Sequence, residues 1–330
     1  MSHKFGRTVS KLRVRYVNCS INDKHPDSFM SRLIADSVNM ELEIVADRHS
    51  LVDLQVTSVQ LPNATRVRQM LERVAARRLP AFVGSRDSRW ADDNPSPNGK
   101  AEAHLWFTGE NTRPPSNTGW DGTLSFDVDS FGGKNAYCPL WWNSIGIYGP
   151  ATSTFMTPAP SIESLIGLRA RVKRRPGFAV AFINNPHPVR FHAINALRSI
   201  GDVQVFGNAV GRPIPNKAHV AANFRFVLCF ENDLYPGYVT EKPIEAWATG
   251  AIPLWWGNDV AEYLNPTAII NAANFRSFSH FAEEVSRIDG DDELRSEMSA
   301  QPLILKSPDL TPAKRVIRKA LGMSNLVNDI

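Results

Sequence analysis

The chain has 330 residues, 43% hydrophobic and 21% charged, with a net charge of +4 and a pI near 9.0. That length suggests two domains of about 150 residues each, and the composition excludes a disordered or fibrous chain. So mild a basicity suits an anionic small ligand, and no long Lys/Arg tract interleaves with aromatics as in a dedicated nucleic-acid binder.

Residues 12–18 (LRVRYVN) alternate Leu12, Val14 and Tyr16 against Arg13 and Arg15, which predicts a first strand. Residues 40–46 and 51–61 read as the next strands, with a helix in SFMSRLIADSV before them. Residues 65–79 read as an amphipathic helix, and 104–111 (HLWFTGEN) as a strand running into a polar turn. From Arg113 to Pro160 the text is rich in Pro, Gly, Ser and Asn and lacks a long period. The domain boundary is expected near its end, at 157/158, with a helix over 161–174. A second alternation follows: strand 178–184, helix 186–201, strand 202–207, strand 224–232 and a helix from Thr240 to Gly250. After these come strand 251–257, a short helix DVAEYLN, strand 267–275 and helix 277–288. Strands alternating with helices imply parallel sheets, and ligands then sit beyond the carboxyl ends of the strands.

Three cysteines, Cys19, Cys138 and Cys229, lie far apart without a CxxC, so no disulfide framework or zinc site is indicated. The histidines show no metal spacing; His187 and His192 fall on different helix faces. The opening MSHKFGRTVSKLRVRY has no apolar leader core, and no run reaches the roughly 18 apolar residues of a spanning helix. A cytoplasmic location, peripheral to the inner membrane at most, is the expectation. The basic, amphipathic stretch 312–322 is the candidate for weak membrane-surface contact, or else for a terminal helix packed back on the fold.

The most informative segment is 224–257, FRFVLCFENDLYPGYVTEKPIEAWATGAIPLWWG. Thr240 suits a helix N-cap, Glu241 and Lys242 fall in the first turn, and Pro243 is tolerated there. A helix N-terminus offers free N–H groups and a partial positive charge, and Lys242 adds a full one, so a diphosphate would fit. The plainer reading is a capped, solvated helix start.

The string CFEN…GYVTEK…EAW…G.IPLWWG closely resembles the carboxyl-terminal signature of the family 10 α-1,3/4-fucosyltransferases, the bacterial members above all. FTGEN (107–111) and NNPHPVRFHAINAL (184–197) resemble two further family segments, in the same order. The resemblance is dense over 178–290, patchy over 104–145 and weak before 104. It implies an α/β fold of the GT-B type, two Rossmann-like domains facing each other across a cleft. Residues 1–157 would bind the acceptor sugar and 158–310 GDP-fucose, with 311–330 a C-terminal basic helix. The implied reaction inverts the anomeric centre of fucose. It moves the sugar to a GlcNAc or Glc hydroxyl of an oligosaccharide, lipopolysaccharide or other surface glycan.

Within that frame, Arg190 and Lys242 would neutralise the leaving diphosphate, so no acid catalyst is required. Glu241 is the candidate carboxylate beside an oxocarbenium-like transition state. Glu110, in FTGEN, is the candidate base for the incoming hydroxyl. Tyr238 resembles the family's donor-site tyrosine. Glu231 and Asn232 would contact the ribose or order the loop, and Thr240, Asn184 and Lys217 complete the candidate donor-binding set. The motif requires no divalent metal and no cofactor. The DxD string Asp127-Val128-Asp129, which in other transferases holds a metal, lies here in the acceptor half. The basic run RARVKRRP (169–176) reads as a solvated face, and Trp255 and Trp256 as core. Tyr137-Cys138-Pro139-Leu140 departs from the arginine that relatives often carry before the PL-aromatic pair. The alternatives are a sister transferase using another nucleotide sugar and a catalytically silent sugar- or nucleotide-binding module. Retention of Arg190, Glu241 and Lys242 together argues against silence.

Overall fold

The computed structural model describes residues 11–19, 25–58, 100–108, 111–113, 119–148, 159–170 and 175–323. The chain divides into two compact units, Met1–Cys138 with Asp309–Ile330, and Pro139–Pro308. The boundary expected at 157/158 and the helix expected over 65–79 fall outside the described residues.

The first unit contains β1 (Lys11–Val17), α1 (Phe29–Val38), β2 (Glu41–Ile44), β3 (Val52–Ser58), β4 (Ala101–Phe107), β5 (Gly122–Ser125) and β6 (Asn135–Tyr137). They form one parallel sheet in the order β2-β1-β3-β4-β5-β6. Helix α1 starts where Ser28 accepts from the Ser31 amide and stops at Asn39, which adopts a left-handed conformation. Leu12, Val14 and Tyr16 share the buried face that their alternation predicts. Arg15, on the opposite face, is buried as well: it donates to Gln55 Oε1 and to the carbonyls of Asp47, Arg48 and Ser50. Strands β5 and β6 lie where no periodicity is visible. Their polar residues are interior, because Thr123 and Ser125 both donate to Asn135 Oδ1 at 2.9 Å.

The second unit contains α2 (Ile162–Ile166), β7 (Gly177–Phe182), α3 (Pro188–Arg198), β8 (Val203–Phe206), α4 (Lys217–Ala221), β9 (Phe224–Leu228), α5 (Glu241–Ala248), β10 (Ile252–Trp255), β11 (Ile270–Asn271), α6 (Phe278–Asp289) and α7 (Asp292–Ala300). Its parallel sheet runs β11-β10-β9-β7-β8. The strand order reverses between β7 and β9, and the crevice at such a reversal is where doubly wound sheets take ligands. Ala179, Ala181, Ile194, Leu197, Phe226, Leu254, Phe281 and Val285 fill one face of the sheet.

Several expectations are corrected. The helix expected over 161–174 ends at Ile166, where Gly167 turns extended and its amide returns to Glu163. DVAEYLN is a turn: Asp259 Oδ2 accepts from the Leu264 amide at 2.6 Å, and Glu262 sits at φ 55°. The strand expected over 267–275 shrinks to β11, because the Asn271 side chain caps the following 3-10 turn at Ala273. The run 169–176 is no solvated face at its two ends. Arg169 packs on the Trp247 ring and donates to the Trp247, Ala251 and Ser299 carbonyls, while Arg175 donates to those of Ala221, Phe224 and Thr249. Burial, with Arg175 nearby, pushes Arg169 down to about 10.

The last described helix, α8 (Thr311–Ala320), belongs to the first unit. Ala313, Val316 and Ile317 are buried against α1 and the β4–β6 edge, and Gly122 leaves room for Val316. Lys314 pairs with Asp36 at 2.7 Å, and Arg318 donates to the Ser37 carbonyl at 2.6 Å. Its apolar stripe is therefore committed to its own unit, and the expected contact of this helix with a membrane surface is not supported. No described helix is long and apolar enough to cross a membrane.

Gly207 holds the exit of β8 against that of β7. Its φ is 114°, and a Cβ there would lie 2.3 Å from the Ile183 carbonyl oxygen. Gly207→Ala should lower stability by at least about 2 kcal/mol, whereas Gly211→Ala, whose Cβ meets nothing, should cost about 1 kcal/mol. Urea midpoints at an unchanged m-value measure both.

Candidate functional site

The exits of β7 and β9 and the start of α5 surround a pocket of about 220 Å³. Asn184, Arg190, Lys217, Asn232, Glu241, Lys242 and Glu245 line it, with Phe182, Cys229 and Phe230 among its apolar wall. A larger hollow of about 380 Å³ lies beside β11, α6 and α7. Its arginine, Arg287, is spent on Glu284 at 2.7 Å, so it lacks the converging cations of the first pocket.

Each predicted donor-site residue has a definite place. Arg190, in the first turn of α3, is 7% exposed and ties the two strand exits together. It donates to the carbonyls of Asn185 at 2.7 Å and Phe230 at 2.9 Å, and to Asn232 Oδ1 at 2.8 Å. Asn184 Oδ1 accepts from the Asn208 amide at 3.0 Å, fixing the turn after β8. Lys217 opens α4 behind the Asn216 cap. Thr240 caps α5 and is buried, as is Tyr238, which stands near enough to Lys242 to favour its charge. Neither Tyr238 nor Thr240 is part of the pocket lining.

Glu231 is fully buried behind the pocket wall. Its Oε1 accepts from the Thr240 amide at 2.9 Å and from Trp255 Nε1 at 3.3 Å. Its Oε2 accepts from Thr240 Oγ1 at 2.7 Å and lies 3.2 Å from Lys242 Nζ. Of the two roles open to it in the sequence, ribose contact or ordering of the loop, these partners are those of the second. Lys242 Nζ also donates to Thr240 Oγ1 at 2.8 Å and lies 3.5 Å from Glu241 Oε1.

Burial works against the charge on Lys242, but the carboxylates of Glu231 and Glu241 outweigh it and raise its pKa well above the usual lysine range. Burial likewise opposes the charge on Glu241, and Lys242 with the helix amides outweighs it, so its pKa is lowered. The Cys229 thiol is pushed up by burial and by Glu231, which makes it an inert wall residue.

Glu110 lies outside the described residues. The Asp127-Asp129 pair has structural partners: Asp127 bridges to Arg113 at 3.3 Å, and Asp129 Oδ1 accepts from the Phe131 amide. Among the described residues, no three or more His, Cys, Asp or Glu side chains cluster as a metal site would. Sequence reasoning missed Glu245, one helical turn beyond Glu241; the i, i+4 spacing was the available signal. It also missed the polar role of Trp255, whose indole N–H reaches Glu231 from a core position; no local pattern carries that signal.

The two shifts have opposite pH consequences. The lowered pKa of Glu241 contributes stability above the ordinary carboxylate pKa, lost as pH falls through the depressed value. The raised pKa of Lys242 contributes stability below the ordinary lysine pKa, lost only as pH rises through the raised value. Stability from the pair should be flat near neutrality and decline in acid. Urea midpoints between about pH 3 and pH 8 should show a shallower acid limb in Glu241→Gln.

Residues 172–297 match the model of the family described as "Glycosyltransferase family 10 (fucosyltransferase) C-term". The chain is 30% identical over 200 residues to the alpha-(1,3)-fucosyltransferase FucT of Helicobacter pylori, covering 53% of this chain and 41% of that protein. It is 26% identical over 215 residues to a bovine (Bos taurus) 3-galactosyl-N-acetylglucosaminide 4-alpha-L-fucosyltransferase, covering 60% and 52%. The chain thus spans about half or less of these curated relatives. Crystal structures of an alpha1,3-fucosyltransferase, and of one with GDP-fucose, share the fold with TM-scores of 0.64 and 0.63 at 20% and 19% identity. They cover 98% and 100% of this chain and 94% and 96% of theirs. The two parallel α/β units are therefore of the GT-B type. Through residues 172–297, the chain is similar to the carboxyl-terminal part of glycosyltransferase family 10.

Proposed function

We propose that this protein is a fucosyltransferase that takes L-fucose from GDP-fucose and places it on a hydroxyl of a glycan acceptor. The observation that carries the reading is the convergence of Arg190, Lys242 and the start of α5 on one pocket at the strand-order reversal, inside the family 10 segment. Similarity to a protein crystallised with GDP-fucose supports the choice of donor.

A leaving diphosphate needs its charge neutralised rather than a proton delivered. Lys242 Nζ, the free amides of α5 and Arg190 are the groups that would do this. Arg190 would have to exchange part of its carbonyl bonding for phosphate oxygens. Glu241, at the pocket wall with its pKa lowered, stays ionised at neutral pH and would favour an oxocarbenium-like transition state. Glu110 is the proposed base that takes the proton of the attacking hydroxyl, giving inversion in one displacement. The acceptor is proposed to be a GlcNAc or Glc unit of an oligosaccharide or lipopolysaccharide, fucosylated at O3 or O4.

A thermal-shift panel of GDP, UDP, CDP and ADP tests the donor. GDP at about 100 times its Kd should stabilise the protein by roughly 2.7 kcal/mol, and Lys242→Ala should abolish most of that shift. A shift with UDP in place of GDP would discard fucose as the transferred sugar, and no shift with any of the four would count against the donor site. Glu110→Gln should bind GDP normally yet lose transfer from GDP-fucose by about a hundredfold or more. Near-normal turnover in Glu110→Gln would remove it as the base.

A further inference from the structure

Glu231 is fully buried and engages four donors, yet it lies behind the pocket rather than in it. Its two oxygens receive the Thr240 amide, the Thr240 hydroxyl, Trp255 Nε1 and the Lys242 ammonium. A carboxylate has about four acceptor positions, so this one is saturated and cannot take a ligand without giving up a partner. The donors come from the α5 cap, the α5 first turn and β10, so one charge fixes three elements at the exit of β9. The Thr240 hydroxyl gives its proton to Glu231, which turns its lone pairs toward Lys242 Nζ at 2.8 Å. Lys242 would otherwise be a flexible four-carbon stem, and aiming it beforehand removes an ordering cost from binding.

We propose that Glu231 is a positioning residue of the donor site: its buried carboxylate, acting through Thr240, aims the Lys242 ammonium at the diphosphate of the donor. The inference rests on the GDP-sugar reading above. It assigns Glu231 no contact with donor or acceptor. A carboxamide at 231 would offer one acceptor oxygen and turn an NH₂ toward at least one of the present donors, so the network could not reform.

The test is calorimetric titration of the full chain with GDP and with guanosine. Wild type, Glu231→Gln, Lys242→Ala and the double variant are compared. Glu231→Gln should weaken GDP by about tenfold, the size of one charge-assisted contact, and change guanosine by less than about twofold. The double variant should bind GDP no more weakly than Lys242→Ala alone, because both changes break one unit. A merely structural Glu231 would lower GDP and guanosine together and add to Lys242→Ala; either result overturns the proposal. So does unchanged GDP affinity in Glu231→Gln.

If Glu231→Gln does not fold, Thr240→Val and Thr240→Ser carry the test. The valine should show the selective loss of GDP, and the serine, which keeps the hydroxyl, should restore it. Equal GDP affinity in the two would overturn the proposal. Wild-type protein that binds no nucleotide would sink the donor-site reading itself, and this inference with it. Wild-type protein that binds GDP through Lys242 while ignoring the state of residue 231 would sink the inference alone.

Discussion

The carboxylate of Glu231, buried at 0% exposure, is the interaction that ties the start of α5 and β10 to the exit of β9. An ionised group in that position is tolerable only when nearly every lone pair is engaged and a counter-charge is close. Thr240, Trp255 and Lys242 meet both conditions. Because those partners lie on separate segments, satisfying the charge also brings the segments to their places. The opposite end of α5 is treated in the complementary way. Its last carbonyls and those just beyond receive the Arg169 and Arg175 guanidinium groups. A cation at the carboxyl end and a lysine held at the amino end leave α5 little freedom to slide or tilt.

Much of this was readable in the residues. Alternation located β1, helical spacing located α1, and terminal signals located α3 and α5, because those signals are local. Strands β5 and β6 were invisible because Thr123, Ser125 and Asn135 satisfy one another across the sheet; the text therefore looks polar where the chain is interior. DVAEYLN looked helical because its composition allows a helix, but Asp259 takes the Leu264 amide and a bridge from Leu264 to Ile304 holds the segment open. The basic run before β7 looked solvated because nothing in a short window reveals carbonyls contributed by Trp247, Ala251 and Thr249.

The site divides in the same way. The first-turn places of Glu241 and Lys242 were legible from the Thr240 cap before them, whereas Arg190 was named through the resemblance of 184–197 to a family 10 segment. That Arg190 would spend its donors on Asn185, Phe230 and Asn232 was not legible, since those partners assemble only once β7 and β9 are neighbours. The choice between the two roles of Glu231 could not be made from sequence for the same reason: it turns on Trp255, 24 positions away on the next strand.

The return of α8 to the first unit has a consequence for biosynthesis. The second unit is one continuous stretch, Pro139–Pro308, and can close as soon as it has left the ribosome. The first unit cannot. Its sheet is made first, but the buried faces of α1 and β4–β6 stay uncovered until Val316 and Ile317 arrive, after the whole of the other unit has been translated. The half of the protein synthesised first is thus the half completed last, and in the interval its apolar surface is exposed to whatever chaperone or neighbouring chain reaches it before its own helix does.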